Sequence, residues 1–127
     1  MSGGHRKLRV FQEADALVVD VYRVSKRFPP EERFGLQSEI RRAAVSAACN
    51  IVEGSARQTE REYLHFLNMA TGSAAEAEYL VPLAVRLEFL NQAEAEPLVR
   101  RYAALASGLR AMIRALQKPE PGPKPEA

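Results

Sequence analysis

Apolar residues recur along this chain at alternating steps of four and three, in four separate stretches, and that spacing restricts it to helices. Side chains so spaced fall on one face of an α-helix, whereas a half-buried strand would alternate residue by residue. The first seam is Val10, Ala14, Leu17, Val21, Val24 and Phe28, which predicts a helix over 10–27. Pro29-Pro30 stops it, because proline has no N–H for the ladder and disfavours helical geometry in the residue before it. A turn over 31–34 leads into a second helix over 35–56, with the seam Leu36, Ile40, Ala43 or Ala44, Ala47 and Ile51. The run over 43–49 is nearly all small. We read it as close packing against a neighbour, with plain helix propensity as the alternative. Thr59 with Glu62 three residues on makes a capping-box start for the third helix. Its seam is Tyr63, Phe66 or Leu67, Ala70, Ala74, Ala77, Leu80 or Val81, Ala84 and Leu87. That seam continues past Pro82, so one kinked helix is expected there. Asn91 caps a fourth helix reaching 118, with the seam Leu98, Tyr102, Leu105, Leu109, Met112 and Leu116. Four such seams with short connections predict an all-α fold, an antiparallel up-down four-helix bundle with neighbours crossing near ~20°.

The 127 residues suit one domain. We divide them into a flexible basic arm over 1–9, the bundle over 10–118, and a disordered Pro-rich tail over 119–127. That tail holds four of the eight prolines. The single cysteine, Cys49, excludes an intramolecular disulfide and suits a reducing compartment. No apolar segment with a cleavage site follows the polar, basic start, and no run approaches the ~20 apolar residues of a membrane span. A cytoplasmic protein with no membrane partner is expected. The net charge is only +2, but it is unevenly placed. Residues 1–9 carry three basic and no acidic groups, 59–90 two basic and five acidic, and 91–118 five basic and two acidic.

Four local patterns, in order and at these spacings, resemble a known family. They are Phe28-Pro29 with Glu32 and Phe34-Gly35-Leu36, then the run from Ile40 to Ser46, then the run from Asn50 to Gly54. The last runs from Phe66 to Ser73, with Ala75-Glu76 and Glu78. Together with the flanking seams they are similar to the 23S rRNA-intervening sequence proteins, small four-helix bundles encoded inside bacterial large-subunit rRNA genes. The resemblance covers roughly 10–117. It implies a bundle that often assembles into a homo-oligomeric ring, with a pentamer as candidate stoichiometry, and no known enzymatic reaction. It also implies a more distant kinship with a basic accessory protein of diversity-generating retroelements, which binds nucleic acid and a reverse transcriptase.

The residues themselves offer few chemical constellations. Arg42, Ser46 and Asn50 lie along one stripe of the second helix. A hairpin turning near Gln58 brings Arg42 close to Ser73 and Glu76, so an Arg42–Glu76 ion pair is expected to set register. Glu53 and Gly54 are expected to serve the tight helix end, and Gly72 close helix packing. We therefore group Arg42, Ser46, Asn50, Glu53, Gly54, Gly72, Ser73 and Glu76 as a structural polar cluster. The alternative is an enzyme or ligand-binding pocket around Arg42, Asn50, Glu53 and Glu76. One carboxylate without a His, Cys or Asp beside it is not a metal site. Neither metal nor cofactor is expected. Cys49, among alanines, reads as a small buried hydrophobe, although His65 across the hairpin could stand near it as a base. No residue is assigned to catalysis.

Binding is the better candidate. At about 100° per residue, Arg100, Arg110, Arg114 and Lys118 share one arc of the fourth helix, opposite its apolar seam. Arg6, Lys7 and Arg9 would join them if the arm lies nearby, making a candidate RNA or DNA contact. Glu96 interrupts the arc, no aromatic interleaves it, and its dull reading is a solvated helix face. Phe11, Val18, Val19 and Tyr22 widen the apolar surface of the first helix and are candidate contacts with a second copy or another protein, or a broader core stripe. The overall expectation is a non-enzymatic, oligomeric scaffold or accessory protein, with RNA or DNA as a candidate contact.

Overall fold

The computed structural model describes residues 4–118. It contains four α-helices, α1 (Arg9–Ser25), α2 (Leu36–Ser55), α3 (Glu60–Arg86) and α4 (Gln92–Gln117), with 3-10 turns at Gly4–Lys7 and Pro30–Glu32. Each helix packs on the next, α4 closes back onto α1, and the backbones of the diagonal pairs α1/α3 and α2/α4 do not approach each other among the described residues. This is the ring order of an up-down bundle.

The seams form the core. Leu17, Val21, Ile40, Ile51, Leu67, Val81, Tyr102, Leu105 and Leu109 are completely or almost completely enclosed. Many of the buried positions of α2 and α3 are alanines, Ala43, Ala44 and Ala47 on one and Ala70, Ala74 and Ala77 on the other. Short side chains let the two backbones approach. Gly54 marks the tightest point, where an added Cβ would stand 3.0 Å from the Phe66 Cβ and 3.0 Å from Tyr63 Cδ1.

Side-chain contacts fix the antiparallel register. Asp20 accepts from Arg101 at 2.7 Å and Arg27 pairs with Glu94, tying α1 to α4. On the other side Arg41 of α2 donates to the Ser25 hydroxyl at 2.7 Å and to the Tyr22 carbonyl at 3.2 Å, and Gln37 donates to the Ser25 carbonyl at 2.8 Å. Ser25 is fully enclosed, so these bonds replace the water it has lost. Tyr102 is less fortunate. Its hydroxyl is buried with no hydrogen-bond partner among the described residues. Burial pushes its pKa far above the usual phenol range, with Arg101 opposing and Asp20 adding to the rise.

Both expected N-caps form: Thr59 Oγ1 accepts from the Glu62 N–H at 3.2 Å, and Asn91 Oδ1 from the Glu94 N–H at 2.8 Å. Elsewhere the boundaries differ. α1 ends at Ser25, two residues before the expected 27. The Phe28 N–H turns back to the Ser25 carbonyl, and the ring drops into the core 5.7 Å from Phe89. Leu87, expected in the third seam, is exposed, and Leu90 is buried instead. The reason is a Schellman turn: the Phe89 N–H reaches the Ala84 carbonyl and the Glu88 N–H the Val85 carbonyl, with Glu88 left-handed at φ 67°. The arm expected over 1–9 is, in its described part, a 3-10 turn, and Arg9 already belongs to α1. The expected tail over 119–127 lies outside the described residues.

Candidate functional site

The expected polar cluster divides in two. Its centre forms across the α2–α3 contact: the Ser46 and Ser73 hydroxyls stand 2.8 Å apart, and Asn50 Nδ2 donates to the Ser46 carbonyl at 2.8 Å and its hydroxyl at 3.0 Å. Asn50 is buried, so its amide is committed to this helix contact. Glu53 stands apart, facing solvent and paired with Arg57 one turn on. The expected Arg42–Glu76 ion pair is absent from the ion pairs of the described residues. Arg42 and Glu76 instead line the same open groove of about 420 Å³ between α2 and α3, with Ser38, Glu39 and Ser46. Both are exposed, and water screening leaves little to gain from holding two long side chains together.

Gly72 also departs from its expected place. It faces open solvent with no atom within 4 Å of an added Cβ, because the packing ridge of α3 runs through Ala70, Ala74 and Ala77 on the other side. Cys49 is exposed, not buried, one position off the buried stripe of Ala47 and Ala48. His65 is exposed and stacks edge-on against Phe66. Among the described residues no group of three His, Cys, Asp or Glu side chains could hold a metal ion.

The apolar candidates on α1 separate by burial. Phe11 and Val18 pack against the core, with His5 edge-on to the Phe11 ring at 4.7 Å. Val19 is 49% exposed and Tyr22 41%, but the Arg41 guanidinium already covers one face of the Tyr22 ring at 4.5 Å.

The cations are distributed by end. Arg110, Arg114 and Lys118 are exposed on the C-terminal half of α4 and take part in no ion pair among the described residues. Arg100, nearer the α4 start, is 3.9 Å from Glu96. The turn carrying Arg6 and Lys7 packs against α1 and α2, and makes no contact with α4. It nevertheless belongs to the same end of the bundle, since Val10 lies beside Gly108. The start of α3 brings Arg61 to this end as well. The local carboxylates Glu13 and Glu53 are taken by Arg9 and Arg57, leaving Asp15, Glu60 and Glu62 against six cations that make no ion pair among the described residues, Arg6, Lys7, Arg61, Arg110, Arg114 and Lys118. Arg61 carried no signal in the α4 periodicity, because it joins the patch only through the fold.

No helix of the described residues is long and apolar enough to cross a membrane. No curated protein matches the chain. Among solved structures, the crystal structure of a protein of unknown function from the S23 ribosomal protein family of Bacteroides thetaiotaomicron VPI-5482 is similar in fold. Its TM-score is 0.74 at 22% identity, covering 83% of this chain and 98% of that one. Residues 6–111 match the family model described as 23S rRNA-intervening sequence protein. With that match across most of its length, the chain belongs to the 23S rRNA-intervening sequence protein family.

Proposed function

We propose that this protein is a non-enzymatic scaffold or accessory protein that assembles with copies of itself and contacts RNA or DNA. The observation that carries the nucleic-acid part is the gathering of Arg6, Lys7, Arg61, Arg110, Arg114 and Lys118 at one end of the bundle without carboxylate partners among the described residues. Unpaired surface cations gain most from a polyanion, because each phosphate contact releases condensed counterions. The pocket reading loses two of its four members, since Asn50 is bonded to Ser46 and Glu53 to Arg57. Assembly is supported by exposed apolar side chains, Val19 on α1 and Met69 and Tyr79 on α3. A cytoplasmic location follows from such a partner.

A gel-shift titration at two salt concentrations tests the contact. Binding at low salt should weaken steeply at high salt and on replacing Arg110 and Arg114 together by alanine. No binding at low salt, or binding indifferent to both changes, overturns the reading. Sedimentation equilibrium tests assembly: the mass should be a multiple of 14.1 kDa and fall to that value in Val19→Asp with Tyr79→Asp. A wild-type monomer at every concentration overturns it.

A further inference from the structure

At the opposite end of the bundle, Phe34 stands on the turn before α2 with 87% of its surface exposed. A single exposed apolar ring is ordinary on a protein surface, so its setting decides what it can do. It forms one wall of a groove of about 390 Å³ between α1 and α2, lined also by Tyr22, Arg33, Gln37, Arg41 and Arg42. Three arginines line that groove and no carboxylate does. Arg41 is tied down by its bonds to Ser25 and Tyr22. Arg33 and Arg42 are exposed and in no ion pair among the described residues. The Arg33 guanidinium lies 5.4 Å from the Phe34 ring centre, leaving most of the ring open. The nearby Glu32 carboxylate is occupied, accepting from the Leu36 N–H at 2.9 Å. On the other side of Phe34 the α2–α3 groove, which Arg42 also borders, carries Glu39 and Glu76, which would repel a phosphate. The polarity of the surface therefore gives an anionic ligand one side of the ring to run along.

We infer that the Phe34 ring is a stacking platform for a base of single-stranded RNA or DNA, with Arg33 and Arg42 holding the flanking phosphates. The inference rests on the nucleic-acid reading but assigns a second, separate contact. Single strands are gripped by combining aromatic faces, on which any base stacks, with cations that track the backbone. An acidic peptide would satisfy the arginines but offer the ring nothing planar. A duplex hides its base faces inside the stack and leaves Phe34 uncovered. The site is remote from Arg110 and Arg114, since α1 and α2 each run the length of the bundle between Val10 and Phe34.

Fluorescence anisotropy with a labelled oligouridylate of twelve nucleotides tests the site, with a duplex of equal length and a polyglutamate peptide as competitors. Phe34→Ala should weaken binding by about 5- to 150-fold, the range for losing one stacked base. Phe34→Tyr should restore it. The exposure of Phe34 means that Phe34→Ala keeps the fold, which circular dichroism checks. Wild-type binding of the single strand that Phe34→Ala leaves unchanged overturns the stacking site. Loss on Arg110→Ala with Arg114→Ala would then leave the basic-end reading standing. Equal competition by duplex or by polyglutamate also overturns it. No single-strand binding by the wild type at low salt overturns both readings together.

Discussion

The same substitution, glycine to alanine, should have opposite effects at two positions in this bundle. Gly54 and Gly72 both sit inside helices, where alanine is intrinsically favoured by about 1 kcal/mol. At Gly72 an added methyl meets nothing within 4 Å, so Gly72→Ala should stabilise by about that amount. At Gly54 it would stand 3.0 Å from the Phe66 Cβ. That atom is fixed to the α3 backbone and no rotamer change moves it, so α2 and α3 must separate. Overpacking of this kind costs about 1–3 kcal/mol, and the rigid neighbour places it toward the upper end. After the propensity gain, Gly54→Ala should lose about 1–2 kcal/mol. The two variants should therefore differ by about 2–3 kcal/mol, or roughly 6–18 °C in Tm for a chain of this size. Urea denaturation followed by circular dichroism measures both. Equal stabilisation by the two changes would refute the close α2–α3 approach at Gly54.

Tyr102→Phe should be neutral or stabilising by up to about 1 kcal/mol, because the hydroxyl it removes is buried without a partner; thermal melts showing a clear loss would reveal a partner for that hydroxyl. The folded state holds the Tyr102 proton more tightly than the unfolded chain, so its contribution is complete below the unfolded pKa near 10 and declines above it. Above pH 10 the wild type should thus lose about 1.4 kcal/mol per pH unit more than Tyr102→Phe, and parallel stability curves would contradict this. Glu88→Gly should stabilise by about 1–2 kcal/mol, since a left-handed residue at a helix end suits glycine; no gain in the urea midpoint would show that the Glu88 side chain compensates. Asp20→Asn weakens contacts to both Arg101 and Arg23, and a fall of more than about 1 kcal/mol in urea denaturation would exceed what partly exposed pairs supply.

The periodic seams made the four helices legible, because burial of one face leaves a direct trace in spacing. Thr59 and Asn91 were legible as caps for a similar reason, since their side chains bond a backbone N–H only three residues away. The hairpin brought Ser73 to the α2–α3 contact but set it beside Arg42, whereas it bonds Ser46 one turn on. Interactions set by side-chain rotamer and solvation did not follow. Arg42 and Glu76 face the same groove, yet no sequence rule says that water screening leaves them unpaired. Gly72 and Gly54 look alike in sequence and differ only in which side of the helix meets a neighbour. The α3 end was hidden because Glu88 occupies a position where glycine is the usual signal. The basic end was half legible: the α4 arc carries Arg110 and Arg114, but Arg61 joins through folding alone. Phe34 stood in a recognisable pattern, while its exposure beside Arg33 and Arg42 could be seen only once α1 and α2 were packed.

The proposed contact between phosphates and the cations of the basic end is read out by the salt dependence of binding. Affinity for a single strand should fall linearly in a plot of log K against log salt, with a slope of about −0.7 per phosphate contact. Removing Arg110 and Arg114 should make that slope shallower by about 1.4, two contacts' worth. An unchanged slope in the double variant would contradict the account, even if affinity fell.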